Sequence, residues 1–259
     1  MTDTADVVFG VNPVLAVLGD GARPVESLSL LQGVRGGRLR EVELLALERG
    51  VKPRFVERPA LDRLAGGGVH QGVVLRVGVR VQPTWEGLLE RLEERVDPVL
   101  VLLDGVEDPR NLGAILRSAE AFGVEAVVLP RDRAAPLSGV AVKASAGAAG
   151  RMDTVRVTNL ARAMVELKHY GFRVIGLDGA AQDSLHGSGA DWRGPLALVL
   201  GGEGKGLRRL TRERCDGLLA IPMTGGVGSL NVATAAGIAL YELRRRRMEG
   251  ADAGIPRIE

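Results

Sequence analysis

Cysteine is almost absent from the 259-residue chain: Cys215 is the only one. A single thiol excludes an intramolecular disulfide framework and argues against a cysteine-built zinc site. It fits a reducing, cytoplasmic setting. Aromatic residues make up 3%, too few for a nucleic-acid surface of stacked rings, which leaves Arg forks and backbone amides for such recognition. Lysine is scarce as well, with Lys52, Lys143, Lys168 and Lys205 the only four among 34 basic residues. Neither charge sign dominates: 34 basic against 32 acidic residues give +2, which decides nothing about RNA or DNA. No apolar run approaches about 18 residues, so no membrane span is expected. Met1 to Val14 lacks a basic start followed by an apolar stretch, so no secretory signal is expected.

Apolar residues make up 46% and charged residues 25%, the balance of a globular chain with material for a real core. The 36 glycines are about twice the usual share. They point to loops with unusual backbone geometry or close ligand approach.

Residues 1–80 read as a small α/β unit. Asn12-Pro13 opens a short helix over Val14–Leu18. A strand at Leu28–Leu31, a helix at Arg38–Arg49, a strand at Arg54–Val56, a helix at Ala60–Leu64 and a strand at Gly72–Val79 follow. Residues 81–97 carry Pro83, a charged amphipathic helix over Trp85–Arg95 and then Asp97-Pro98, and read as a linker. From residue 98 strand and helix alternate, which predicts α/β with a mostly parallel sheet. Val99–Leu103, Leu196–Leu200 and Leu218–Ile221 are all-apolar strands. Helices are expected over Asn111–Phe122, Val140–Ala149, Leu160–Tyr170 and Leu230–Arg246. A catalytic domain over 98–248 and a tail over 249–259 complete the division.

In parallel sheets ligands sit beyond the carboxyl ends of strands. Three Gly-rich polar segments follow strand ends here: 104–113, 201–206 and 222–231. In Gly201-Gly-Glu203-Gly-Lys205-Gly the nucleotide readings fail. A phosphate loop needs Gly where Val199 stands and a hydroxyl where Gly206 stands. A dinucleotide fingerprint needs Gly at Leu207. What remains is either a glycine turn with a solvated Glu203 or a backbone that approaches a ligand. In the first segment Asn111 is a natural N-cap. Leu112, Ile115, Leu116 and Ala119 make one apolar stripe, and Arg117 lies roughly 140° from Leu112, off that stripe. Arg117 is either a surface residue or a group held for an anion. In the third segment Ser229 or Asn231 caps the final helix. Val232–Tyr241 carries no charge and is expected to be buried on both sides. The small face of Ala233 and Gly237 suits a subunit interface. Arg244–Arg247 is expected to be a solvated helix end, with RNA contact as the alternative. His169, His186 and Cys215 lack partner motifs, and no metal site is expected.

At these loops the chain resembles the SpoU/TrmH group of RNA ribose 2′-O-methyltransferases, within the SPOUT superfamily. The resemblance rests on Asn111-Leu-Gly-Ala-Ile-Leu-Arg117, on Leu198-Val-Leu-Gly201-Gly-Glu203-Gly, and on Ile221-Pro-Met223 through Ser229-Leu230-Asn231. Phe9-Gly-Val-Asn-Pro-Val, His70-Gln-Gly72, Asp104-Gly-Val-Glu-Asp-Pro and Leu210-Thr-Arg-Glu resemble the subgroup that methylates a guanosine of 23S rRNA. The resemblance implies an L30e-like RNA-binding domain at 1–80. It also implies a SPOUT α/β-knot catalytic domain with a deep trefoil knot, S-adenosyl-L-methionine as cofactor, and a homodimer through the carboxyl-terminal domain, with neither DNA nor membrane as partner. By the same resemblance Arg117, Asn111, Glu203, Ser229 and Asn231 are catalytic or orienting residues. Leu200, Gly201, Ile221, Met223, Ser229 and Leu230 hold the cofactor. Relatives acting on tRNA, resistance methyltransferases of rRNA and a catalytically silent RNA-binding protein are the alternatives.

Overall fold

A computed structural model describes residues 6–20, 23–33, 37–78, 82–187, 192–204 and 206–249. Lys205 and the tail from residue 250 lie outside these. The chain forms two compact units, 1–81 and 82–259.

The first unit runs β1 (Asp6–Phe9), α1 (Val11–Asp20), β2 (Val25–Leu31), α2 (Arg38–Glu48), β3 (Arg54–Val56), α3 (Arg58–Leu64) and β4 (Val73–Val77). Its sheet order is β1-β4-β2-β3, with β4 antiparallel to both neighbours and β2 parallel to β3. Strand β1 is absent from the sequence expectation, because four residues carry too little pattern. The core joins Val14 and Leu18 of α1 and Val42 and Ala46 of α2 to Leu28, Leu30, Val73 and Leu75.

The second unit begins with α4 (Trp85–Leu92). The expected linker is therefore corrected: Leu88, Leu89 and Leu92 are buried in this unit's core. Thr84 caps α4 by accepting the Gly87 N–H at 3.1 Å. Next come β5 (Val99–Asp104), α5 (Pro109–Ala121), β6 (Ala126–Pro130), α6 (Gly139–Ala144), β7 (Asp153–Val157) and α7 (Leu160–His169). The unit ends with β8 (Arg173–Leu177), β9 (Asp183–Ser184), β10 (Leu196–Gly201), α8 (Arg209–Arg214), β11 (Gly217–Ala220) and α9 (Val232–Glu249). The seven strands lie in the order β7-β6-β5-β10-β8-β11-β9, and every pairing is parallel.

Alternation along the central strands builds three layers. Val101, Leu103, Leu198 and Leu200 face one core with α5 and α9, while Leu100, Leu102, Ala197 and Val199 face the other with α4 and α7. A strand covered on both faces has no polar side to present, which explains the unbroken apolar runs. Gly113 lets α5 lie close on α6, since a Cβ there would fall 2.4 Å from the Ala141 carbonyl oxygen.

Three local expectations are corrected. The helix expected over 140–149 splits into α6 and a 3₁₀ turn at Ala148–Gly150, because Ala146 and Gly147 take φ of 50° and 91°. Asn111 is not an N-cap: Asp108 caps α5 by accepting the Arg110 N–H at 2.8 Å, with Pro109 in the first turn. The final helix starts at Val232, one residue after its cap, and continues to Glu249.

Candidate active site

The three Gly-rich loops leave the carboxyl ends of β5, β10 and β11, and side-chain hydrogen bonds join them. Asn231 caps α9: its Oδ1 accepts the Ala233 and Thr234 N–H groups at 2.9 and 3.3 Å. That bond leaves its Nδ2 free to donate to Asn111 Oδ1 at 3.0 Å. Asn111 in turn donates through Nδ2 to the Glu203 carboxylate. The two amides are thereby oriented, and α5, α9 and the 201–206 loop are tied at one point. Asn111 is buried on α5, whereas Glu203 is exposed.

The 201–206 loop is also held from below. Asp104, buried at the end of β5, accepts the Gly202 N–H on its carbonyl and the Arg208 N–H on Oδ2, both at 2.9 Å. Its Oδ1 lies 3.4 Å from Arg208 Nε. A Cβ on Gly202 would fall 1.9 Å from the Gly105 carbonyl oxygen, so glycine is needed where the two segments run this close together as they leave paired strands.

Beside this junction lies a cavity of about 340 Å³ lined by Leu200, Gly201, Glu203, Ile221, Met223, Ser229, Leu230 and Asn231. Of the residues singled out from sequence, these eight meet there. Asn111 reaches the cavity only through Glu203 and Asn231. Arg117 does not line it. Arg117 is exposed on α5, two turns past its start, and among the described residues it has no hydrogen-bond or ion-pair partner.

Sequence reading missed one wall. Leu177, Asp178 and Gly179 leave the end of β8 and line the cavity. Asp178 pairs with Arg212 at 2.5 Å and accepts the Ala180 N–H at 3.0 Å. The strand-end rule applies to β8 as it does to β5, but Asp178-Gly179 carries no longer motif. Among the described residues no group of three or more His, Cys, Asp or Glu is placed to hold a metal ion.

The interface expectation for Ala233 and Gly237 is corrected in part. A Cβ on Gly237 would lie 3.6 Å from Ser118 Oγ, so the close helix is α5 of the same chain. Ile238 and Tyr241 of α9 are exposed, so α9 is not buried on both sides within one chain. The solvated end expected at Arg244–Arg247 holds for Arg244, which is exposed, and is corrected for the other three. Arg245 and Arg246 both bind Glu242, at 2.8 and 2.7 Å. Arg246 lies over the Trp192 ring, 5.6 Å from its centroid. Arg247 donates to the Trp192 and Gly194 carbonyls at 2.7 and 2.6 Å.

A parallel α/β unit with a joined loop site at its strand ends thus follows a separate α/β unit in the chain. Residues 98–241 match the SpoU rRNA Methylase family, and residues 7–78 match the RNA 2′-O ribose methyltransferase substrate-binding family. The chain belongs to the SpoU family. It is 45% identical to the 23S rRNA (guanosine-2′-O-)-methyltransferase RlmB of Xanthomonas campestris, over 93% of this chain and 96% of the relative. It is 42% identical to the protein of that name from Haemophilus influenzae, over 94% and 99%. The crystal structure of the SpoU methyltransferase AviRb from Streptomyces viridochromogenes, in complex with AdoMet, superposes with a TM-score of 0.67 at 28% identity. It covers 95% of this chain and 92% of its own.

Proposed function

We propose that the protein is a 23S rRNA (guanosine-2′-O-)-methyltransferase that uses S-adenosyl-L-methionine. The observation that carries this reading is the extent of the likeness: both units align with relatives of that name, at 45% identity over 93% of the chain.

The cavity at the three loops suits the cofactor. Leu177, Leu200, Leu219 and Ile221 offer apolar faces for a purine, the glycine backbone at 201–206 offers hydrogen-bonding groups at close range, and the Asp178 and Glu203 carboxylates suit a cationic sulfonium. When bound, S-adenosyl-L-methionine supplies an electrophilic methyl group. The acceptor, a ribose 2′-hydroxyl, must be aimed at that methyl and lose its proton. Asn111, Glu203 and Asn231 act as one oriented unit that sets the loop edge against the ribose, and Ser229 adds a hydroxyl at the same rim. Arg117 carries a planar guanidinium whose nitrogens only donate. Its role is to bridge an RNA phosphate and the hydroxyl through its planar fork, which favours the alkoxide. Its exposure and lack of a partner among the described residues support this.

The first unit, 1–80, binds the RNA, as its family match supports. The functional protein is a homodimer through the second unit, supported by exposed Ile238 and Tyr241 on α9 and Val140 and Val142 on α6. The chain of the second unit is knotted, a reading supported by its match to the SpoU family. Among the described residues no helix is long and apolar enough to cross a membrane, and the work on rRNA takes place in the cytoplasm.

The test is methylation of 23S rRNA transcripts with labelled S-adenosyl-L-methionine, mapped by primer extension. A single protein-dependent stop at a guanosine is expected. Methylation confined to tRNA, or none at all, would overturn the reading.

A further inference from the structure

Past the cofactor cavity, along the same carboxyl edge of the large sheet, lies a loop whose arginines the reaction above does not use. Residues 131–135 follow β6 and are pinned at both ends. The Arg131 N–H donates to the Val157 carbonyl, and the Ala135 N–H donates to the Val106 carbonyl, both at 2.8 Å. From the neighbouring strand Arg156 donates to the Pro130 and Ala135 carbonyls, at 3.4 and 2.8 Å. Within this frame Arg133 takes φ of 54°, a left-handed conformation that a non-glycine residue holds only where its surroundings impose it.

The loop presents Arg131 and Arg133, both exposed, and among the described residues neither has an ion-pair or hydrogen-bond partner for its guanidinium. Neighbouring arginines differ. Arg156 is spent on carbonyls, Arg162 pairs with Glu166, Arg208 with Asp104 and Arg212 with Asp178. Arg131 lines a cavity of about 630 Å³ and Arg133 an adjoining one of about 310 Å³, and the two cavities share Thr158. Val106, to which the loop is tied, stands two residues before the Asp108 cap of the helix that carries Asn111 and Arg117.

We propose that this loop and its two adjoining cavities hold the RNA backbone flanking the target nucleotide, with Arg131 and Arg133 each meeting a phosphate. The proposal rests on the RNA-methyltransferase reading. The strand order places β7 three strands from β10, about 14 Å at normal sheet spacing. An RNA strand with its ribose at the β5–β10 loops therefore reaches the β6–β7 ends within a few nucleotides. Two unpartnered guanidiniums on a pinned backbone, beside two adjoining cavities, suit a polymer of spaced anions. Holding the arginines on a fixed backbone reduces what must be ordered on binding.

The experiment uses the full-length protein and a 23S rRNA fragment that the wild type methylates. RNA affinity is measured against salt for wild type, Arg131→Gln/Arg133→Gln and Arg95→Gln. Arg95 pairs with Glu125 at the opposite edge of the sheet and serves as the charge control. The double variant is expected to lose roughly tenfold in RNA affinity near 0.1 M salt, with the salt slope falling by about 1 per residue. Its S-adenosyl-L-methionine affinity and melting temperature should match wild type, and Arg95→Gln should leave RNA affinity unchanged. An unchanged salt slope in the double variant, or an equal loss in Arg95→Gln, would overturn this surface while leaving the methyltransferase reading intact. A wild type that binds and methylates no rRNA fragment would overturn both.

Discussion

Asn111 shows what one residue can join. Its carboxamide has both halves committed, one to Glu203 and one to Asn231. Asn111→Ala leaves a donor and a carboxylate without their partner in a half-buried place, a loss of about 1–3 kcal/mol. The expected result is a melting temperature lower by several degrees together with weaker S-adenosyl-L-methionine binding, measured by calorimetry. A variant with unchanged cofactor affinity would separate Asn111 from the cavity. Local sequence reading took Asn111 for a helix cap because it sees only neighbours along the chain. The partners that matter lie 92 and 120 residues away, and the cap is supplied by Asp108. Arg117 gives the opposite case. The helical period alone put it off the apolar stripe, and it is exposed. Replacing it should cost within roughly 1 kcal/mol of stability. Arg117→Lys and Arg117→Ala should both lose at least about 100-fold in single-turnover methylation at saturating RNA, because a point charge cannot replace a planar fork. A lysine variant near the wild-type rate would make Arg117 a simple phosphate contact.

At the scale of the element, α9 ends in a lattice of charge rather than in water. Hydrogen bonds from Arg245, opposed by burial and reinforced by Arg246, pull the Glu242 carboxyl from its ordinary 4.5 down to about 2. Because its folded pKa is depressed, this carboxylate contributes stability that is fully present above about pH 4.5 and is lost as pH falls towards 2. The contribution is at most about 2 kcal/mol once solvent screening is allowed for. Wild type should therefore lose more stability than Glu242→Gln between pH 5 and 3, followed by thermal melts across that range; parallel curves would exclude the linkage. Arg247 is half-buried, and burial lowers its pKa. The backbone carbonyls of Trp192 and Gly194 accept its protons, so it fastens the end of α9 to the segment before β10. Four consecutive arginines read as a solvated end because the sequence names no partners for them. Backbone carbonyls 53 and 55 residues away leave no trace in composition. By contrast, the cap of α9 was legible to within two residues, Ser229 or Asn231, since a capping side chain before an uncharged run is a local signal, although the helix begins at Val232 rather than Leu230.

For the whole molecule, the alternation of apolar strands and amphipathic helices was enough to read two α/β units and a parallel sheet, because burial on both faces writes itself into each strand. The insertion of β10 between β5 and β8 was not legible, since strand order is decided by long-range pairing. The amphipathic helix at 85–92 also misled: its charges suggested a linker, but its three leucines close the α7 side of the second core. The two units have separate sheets and separate cores, and the cavity proposed for the cofactor lies in the second. Calorimetric unfolding should accordingly show two transitions. A ligand stabilises only the body that binds it, by about 2.7 kcal/mol when present at 100 times its Kd. S-adenosyl-L-methionine should therefore raise the melting temperature of one transition by a few degrees and leave the other in place. The 23S rRNA fragment should shift both, because the proposed RNA contacts lie on the first unit and along the sheet edge of the second. If S-adenosyl-L-methionine moved the two transitions together, or if a single transition absorbed all the heat, the units would be unfolding as one cooperative body, and their separate cores would not amount to separate stability.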